Sequence, residues 1–163
     1  MTRAAKPRGK PRQTDAAAPP TRIRLGVLDE VVGFNLRLAQ DASFRVFARH
    51  TGEVHLKPGR FAAMMVIHNN PGLTQMDLGR AIARDKSSVT PLIQELQRHG
   101  FVQRRPSKAD RRSMTLTLTR AGEATLKILH GHAMRHDRKL DAIVGNRKAE
   151  FIALLKKIAD ELS

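Results

Sequence analysis

The sequence predicts a mainly α-helical fold that contains one small β-hairpin. The chain has no tryptophan or tyrosine and only six phenylalanines, so its core must consist mostly of aliphatic side chains. Apolar residues recur at the three-to-four spacing of amphipathic helices, whereas strict alternation occurs in one short run, MTLTLT at residues 114–119. At 163 residues, 40% of them hydrophobic, the chain is long enough to bury a core of its own.

Two helices are predicted in the first half of the chain. The first covers residues 23–50, which contain no proline and are followed by Gly52, a residue type that ends helices. The second runs from about Pro58 to His68 and ends at the turn sequence Asn-Pro-Gly of residues 70–72.

Residues 73–84 predict a short capped helix. Thr74 and Asp77 stand at the spacing of a capping box, in which each side chain accepts a hydrogen bond from the backbone N–H of the other residue. This helix should therefore begin at Gln75 and end near Arg84.

A second helix should follow directly, beginning between Asp85 and Ser88 and ending at Gly100. With Ser87 as its N-cap, Pro91 falls at the fourth helical position, where a proline removes only the first hydrogen bond. The apolar residues follow the i, i+3, i+4, i+7 pattern of one buried face: Val89, Leu92, Ile93 and Leu96.

A hairpin and two more helices complete the predicted order. Residues 101–105 and 114–119 are predicted strands, joined by a polar loop. Thr119 should cap a helix that stops at Gly145, and Asn146 should cap a last helix. The apolar stripe of that last helix is Phe151, Leu154, Leu155, Ile158 and Leu162. The whole order is that of a winged helix-turn-helix between long flanking helices.

The net charge of +15 favours a polyanionic partner. Nucleic acid is the commonest one, and an anionic membrane surface is the competing interpretation. No segment approaches the roughly 20 consecutive apolar residues of a membrane span, and no secretory signal follows the basic start. We therefore expect nucleic acid as the partner, no membrane association and a cytoplasmic location.

The absence of cysteine and of catalytic motifs argues against an enzyme. Without cysteine the chain can form no disulfide, thiolate zinc site or thiol-based redox sensor. It also has no G-x-S-x-G motif, glycine-rich phosphate loop or paired carboxylates in a recognisable frame. We expect neither an enzyme nor a cofactor.

Residues 1–22 predict a disordered basic tail. They contain four of the eight prolines, six basic residues and one acid, Asp15, and they have little apolar surface to bury. The tail is either a solvated leader or a segment that touches DNA phosphates.

The sequence resembles the MarR family of bacterial transcription regulators over residues 23–163. The most specific motifs are DKSSVTPLIQELQRHGFVQRR, ADRR and LTRAG, in this order. The resemblance implies a homodimer whose partner is double-stranded DNA. It would bind a pseudo-palindromic operator, and repression of transcription is the usual mode of the family. The helical regions 23–70 and 119–163 would form the dimer, and residues 71–118 would form the winged helix-turn-helix DNA-binding domain.

By this resemblance the helix from Ser87 to Arg98 is the recognition helix. Glutamine can pair with adenine, and a wing arginine can enter a narrow A/T-rich minor groove. The sequence leaves open which of Arg111 and Arg112 enters the groove and which pairs with Asp110, and whether Asp110 serves only to fix the loop. The predicted DNA contacts are Ser87, Ser88, Thr90, Pro91, Gln94, Arg98, Arg104, Arg105, Lys108, Asp110, Arg111 and Arg112.

A protein that coats DNA without sequence preference is an alternative. Pure phosphate binding would favour lysine at the start of the recognition helix, where small polar residues stand instead.

The resemblance further implies that a small molecule releases the DNA. We expect an aromatic or heteroaromatic acid of the benzoate, cinnamate or nicotinate type, bound between the dimerisation helices and the winged domain. The alternative for each residue is an ordinary basic or core position. The candidate ligand residues are Arg45, Arg49, His50, Phe61, Met65 and His68.

A zinc-responsive regulator is the other alternative. His132 and His136 stand at i, i+4, a spacing that can chelate zinc, with further ligands from His50, His55 or Glu30. Because no signal in the sequence joins these residues, two ordinary surface histidines are the simpler interpretation, and no metal is predicted.

Overall fold

The computed structural model describes residues 23–50, 58–107 and 114–162, and it has the predicted order of elements. The predicted tail lies outside this range. The helices are α1 (Val32–His50), α2 (Pro58–Asn69), α3 (Gln75–Ala81), α4 (Lys86–Arg98), α5 (Arg120–Val144) and α6 (Lys148–Glu161). Strands β1 (Val102–Pro106) and β2 (Met114–Leu118) pair antiparallel as the predicted hairpin.

The prediction of one unbroken helix over residues 23–50 is wrong at its start. A 3₁₀ helix occupies Gly26–Glu30, Val31 is extended with ψ 117°, and α1 begins only after it. The side-chain amide of Asn35 donates to the carbonyl oxygens of Asp29 and Val31, at 3.0 Å each. Because the apolar spacing continues across this break, periodicity alone could not reveal it.

The capping box before α3 is present as predicted. The Asp77 N–H donates to the Thr74 hydroxyl at 3.2 Å, and the Thr74 N–H donates to the Asp77 carboxylate at 3.3 Å. The Thr74 hydroxyl also donates to that carboxylate, and these hydrogen bonds hold the pKa of Asp77 below its ordinary value. The start of the helix-turn-helix is therefore fixed by local contacts.

Helix α3 is shorter than predicted, ending at Ala81 instead of near Arg84. Ala83 has φ 49°, in the left-handed region, and the Arg84 N–H donates to the Gly79 carbonyl at 2.8 Å. This tight turn sets the angle between α3 and α4.

The core lies where α2, α3, α4, the hairpin and the first half of α5 meet. Strand β2 is joined to the segment before α3, because the Leu116 N–H donates to the Leu73 carbonyl at 2.8 Å. The hairpin is thus attached to the helix-turn-helix through its backbone. The largest fully buried side chains are Met64, Leu78, Val89, Ile93, Leu96, Leu116 and Leu129.

The prediction that Asn146 caps the last helix is wrong. Gly145, with φ 62°, ends α5 as predicted, but a 3₁₀ turn follows and no side chain caps α6. Instead the Lys148 ammonium binds the carboxylates of Asp141 at 2.6 Å and Asp137 at 3.5 Å. Its hydrogen bond to Asp141 raises the pKa of Lys148.

Apolar side chains of the outer helices remain exposed in the single chain. Three residues of the predicted stripe of α6 are exposed, Phe151 at 46%, Leu154 at 52% and Leu162 at 83%, and Leu155 and Ile158 are half-buried. Ile143 near the end of α5 is 79% exposed, and Val32 of α1 is 69% exposed. An apolar surface of this extent requires a partner. Within the part of the chain that is described, no helix combines the length and apolar character needed to cross a membrane.

Candidate nucleic-acid interface

Helix α4 begins earlier than a Ser87 cap predicts. Its N-cap is Asp85, whose carboxylate accepts the Ser88 N–H at 2.7 Å and the Ser87 hydroxyl at 2.9 Å. These bonds, the Ser88 N–H foremost, hold the pKa of Asp85 below its ordinary value. Pro91 is therefore the sixth helical residue and removes one bond of the helix interior, to the Ser87 carbonyl.

Helix α4 turns its apolar stripe toward the core and its predicted contact residues outward. Of the four residues predicted for one packed face, Val89, Ile93 and Leu96 are buried and Leu92 is half-buried. Most of the opposite side is exposed to solvent. Its residues are Ser87, Pro91, Gln94 and Arg98, which are exposed, with Ser88 and Thr90 half-buried at its margins.

A hydrogen-bonded chain connects α4 to the hairpin through Gln75. The side-chain amide of Gln75 donates from Nε2 to the Thr90 hydroxyl at 2.6 Å. The Arg104 guanidinium donates to Oε1 of the same side chain at 2.8 Å. The Thr90 hydroxyl donates in turn to the Lys86 carbonyl at 2.7 Å. Two predicted DNA contacts thus share one partner that sequence reasoning missed. No short-range signal could identify Gln75, because its partners lie 15 and 29 positions away.

The hairpin brings basic residues next to α4. Arg104 pairs with Leu116 and Arg105 with Thr115, so the two arginines lie on opposite faces of the hairpin. Both are exposed. The predicted contacts at the tip of the wing lie outside the described residues: Lys108, Asp110, Arg111 and Arg112.

A cavity of about 530 Å³ lies between α1, α2 and α4. It contains three arginines and one carboxylate. Arg60 forms an ion pair with Glu95, and its Nε is buried without a hydrogen-bond partner among the described residues. The lining residues are Phe44, Arg45, Ala48, Pro58, Gly59, Arg60, Arg84, Ser88, Pro91, Leu92 and Glu95.

The six candidate ligand residues are divided between different places. Arg45 lines the cavity between α1, α2 and α4. Met65 and His68 line a second cavity of about 540 Å³ between α2 and α5, where His68 Nδ1 lies 2.9 Å from the Glu123 carboxylate. Phe61 packs on the core and Arg49 is exposed on α1. The side chain of the sixth, His50, lies outside the described part of the chain.

The two candidate zinc ligands already have other partners. His132 Nδ1 lies 2.8 Å from the guanidinium of Arg135. His136 Nε2 lies 2.9 Å from the Ser43 hydroxyl, and its ring meets Phe47 edge-on. Across residues 23–50, 58–107 and 114–162, no three His, Asp or Glu side chains form a group that could hold a metal ion.

Comparison with known proteins decides the family. The model of the MarR family matches residues 56–114, which span α2, the helix-turn-helix and the first strand of the hairpin. A transcriptional regulatory protein described for the hcr operon of Thauera aromatica is 35% identical over 155 residues, covering 94% of this chain and 91% of that protein. The chain belongs to the MarR family. It is a DNA-binding transcription regulator, and regulators of this family bind DNA as dimers.

Two solved structures of another MarR-type protein, the transcriptional repressor CouR, have the same fold. CouR bound to a 23-mer DNA duplex matches with a TM-score of 0.77 and 28% identity, covering 85% of this chain and 99% of CouR. CouR bound to p-coumaroyl-CoA matches with a TM-score of 0.75 and 26% identity, covering 84% and 97%.

Proposed function

We propose that this MarR-family chain is a ligand-responsive repressor that binds a pseudo-palindromic operator as a homodimer. A small aromatic or heteroaromatic acid releases it from DNA. The observation that carries this proposal is the cavity between α1, α2 and α4, because its lining combines three arginines with residues of the DNA-facing helix.

The chemistry of the cavity suits an aromatic carboxylate. Guanidinium groups bind carboxylates through paired, charge-assisted hydrogen bonds, and Arg45, Arg60 and Arg84 offer three of them. Phe44 and Leu92 supply apolar wall for a ring. The volume of about 530 Å³ falls within the usual range of small-molecule sites, about 300–1,000 Å³.

A coenzyme A thioester of such an acid is the second candidate ligand. CouR has been solved with p-coumaroyl-CoA, and the cavity holds more cationic groups than one carboxylate needs. Three arginines face one acidic side chain, Glu95, so the charge of the cavity also favours an anion with several charges.

The exposed apolar surface supports the homodimer. It extends over the start of α1, the end of α5 and much of the stripe of α6, which belong to the regions predicted for dimerisation. Two copies related by a two-fold axis would cover each other's stripes and present two α4 helices to successive major grooves.

The test begins with an operator selected by the protein from random duplex DNA. We expect Arg111→Ala or Arg112→Ala to weaken operator binding strongly while the variants stay folded and dimeric. Fluorescence anisotropy at several salt concentrations should show log K falling linearly with the logarithm of the salt concentration, with a slope of about 0.9 for each phosphate contacted. Equal affinity for operator and scrambled DNA would favour the non-specific architectural protein instead.

The effector is tested on the same complex. Benzoate, cinnamate, nicotinate and p-coumaroyl-CoA are titrated against operator-bound protein, and release by at least one of them is expected. Arg45→Gln should weaken the binding of that ligand, whereas His68→Gln should leave it unchanged, because His68 lines the other cavity. The reverse result would move the ligand to the cavity between α2 and α5.

A further inference from the structure

We infer that the ion pair between Arg60 and Glu95 couples the effector to the recognition helix. The inference rests on the proposed function, since it assigns a mechanism of release to the same cavity. Without effector the pair holds α4 in the position that binds the operator. The anionic group of the effector displaces Glu95 from Arg60, and α4 loses this tie.

The position of the pair suits a tie between α2 and α4. Arg60 lies in the first turn of α2 and Glu95 in the last turn of α4. The Arg60 side chain is only 14% exposed and the Glu95 side chain 25% exposed, so water screens their attraction less than on an open surface. The buried stripe holds α4 to the core on one side, and the pair holds it to α2 on the side of the cavity.

Arg60 is also the group that an incoming anion would meet. It lines the cavity and has an unpartnered buried Nε beside the nitrogen that binds Glu95. A guanidinium binds a carboxylate best through two parallel hydrogen bonds. An effector carboxylate or phosphate can therefore compete with Glu95 for Arg60. Among the described residues, Glu95 then keeps one neighbour for its carboxylate, the His99 imidazole at 3.9 Å, and it is repelled by the new anion.

The effect reaches DNA-facing residues without a long path. Ser88 and Pro91 line the same cavity as Glu95 and stand on the same helix as the predicted contacts. A small rotation or translation of α4 therefore moves the cavity wall and the DNA-facing strip together. Such linkage is reciprocal, so operator binding must weaken effector binding by the same factor.

The first measurement uses no effector. Operator affinity is compared for Arg60→Gln, Glu95→Gln and the double variant. We expect each single variant to bind operator about tenfold more weakly, within the usual range of coupling between sites. The double variant should be no weaker than either single one, because all three lose the same interaction. If both single variants stayed within about twofold of their controls, the pair would not position α4.

The controls match the charge changes outside the cavity. Arg37→Gln removes an arginine that pairs with Asp41 on α1, and Glu123→Gln removes a carboxylate that pairs with His68. Neither residue lines the cavity between α1, α2 and α4. Both controls should leave operator affinity within about twofold of the parent, apart from the small effect of net charge that they share with the test variants.

The second measurement separates coupling from a merely structural role. Benzoate, cinnamate, nicotinate and p-coumaroyl-CoA are titrated into each free protein to measure effector affinity by calorimetry. They are also titrated into each operator complex to measure release. With Glu95→Gln we expect tighter effector binding, since the competitor is gone, and a release factor that falls toward one. With Arg60→Gln we expect weaker effector binding. A structural defect would weaken binding in both variants.

The two failures are distinguishable. If the parent protein binds none of benzoate, cinnamate, nicotinate and p-coumaroyl-CoA, the proposed effector function and this inference both fall. If the parent binds one of them and is released, but Glu95→Gln is released by the same factor, the coupling alone is overturned.

Discussion

Asp85 determines where α4, the predicted recognition helix, begins. Asp85, Ser87 and Ser88 are all good N-cap residues, so the sequence could not choose among them. In the structure the Asp85 carboxylate accepts hydrogen bonds from both serines. An N-cap at Ser87 would begin the helix two residues later and would lose both of these hydrogen bonds. The choice depends on how many donors one side chain can reach, which residue type alone does not reveal.

The lowered pKa of Asp85 gives a prediction about pH. Its carboxylate stabilises the fold fully above the unfolded pKa of about 3.8, and this contribution is lost as pH falls through the lowered native pKa. We expect Asp85→Ala to lower the Tm by a few degrees at neutral pH and to flatten the decrease in Tm below pH 4. Asp85→Asn is the control, because it keeps the cap without titrating; it should stay near the parent at pH 7. An unchanged acid limb in both variants would contradict the assignment.

At the scale of elements, prediction succeeded where the signals are local. Thr74 and Thr119 mark helix starts through bonds to residues three positions on, and both caps are present. The break before α1 and the start of α6 were missed because other contacts decide them. Asn35 reaches back six residues to Asp29, and Lys148 binds acids of the preceding helix. Neither contact leaves a mark on the apolar spacing.

The junction between the hairpin and α5 permits a sharp prediction. A Cβ on Gly122 would overlap the carbonyl oxygen of Phe101, which accepts the Thr119 N–H at 3.0 Å. Gly122→Ala must therefore displace the start of α5 from the hairpin, and we expect a loss of about 1–3 kcal/mol of unfolding free energy or more. Gly131→Ala in the same helix meets only the end of the Arg135 side chain, at 3.6 Å. It should gain about 0.5–1 kcal/mol from helix propensity. Equal denaturation midpoints for the two variants would refute this account.

At the scale of the molecule, the exposed strip of α4, which consists of Ser87, Pro91, Gln94 and Arg98, could be predicted from the sequence, and the cavity could not. The strip lies on one helix, where a step of 100° per residue places its members. The cavity collects Arg45, Arg60, Arg84 and Glu95 from α1, α2, α4 and the turn before α4, and only tertiary packing brings them together. Of these four residues, the sequence suggested Arg45 alone as a ligand contact.

The exposed stripe of α6 leads to the last prediction, which concerns assembly. Leu154 is 52% exposed in the single chain and lies on this stripe. Leu154→Lys would bury an ammonium group between two copies, so we expect a monomer in sedimentation velocity whose winged domain stays folded by circular dichroism. Operator affinity should fall by about a hundredfold or more, because a dimer binds two half-sites at once. The added positive charge alone would strengthen DNA binding, so a loss cannot come from electrostatics. Asp160→Lys places a lysine on the opposite side of α6 and should remain a dimer; if Leu154→Lys also stayed dimeric with parental operator affinity, α6 would not form the interface.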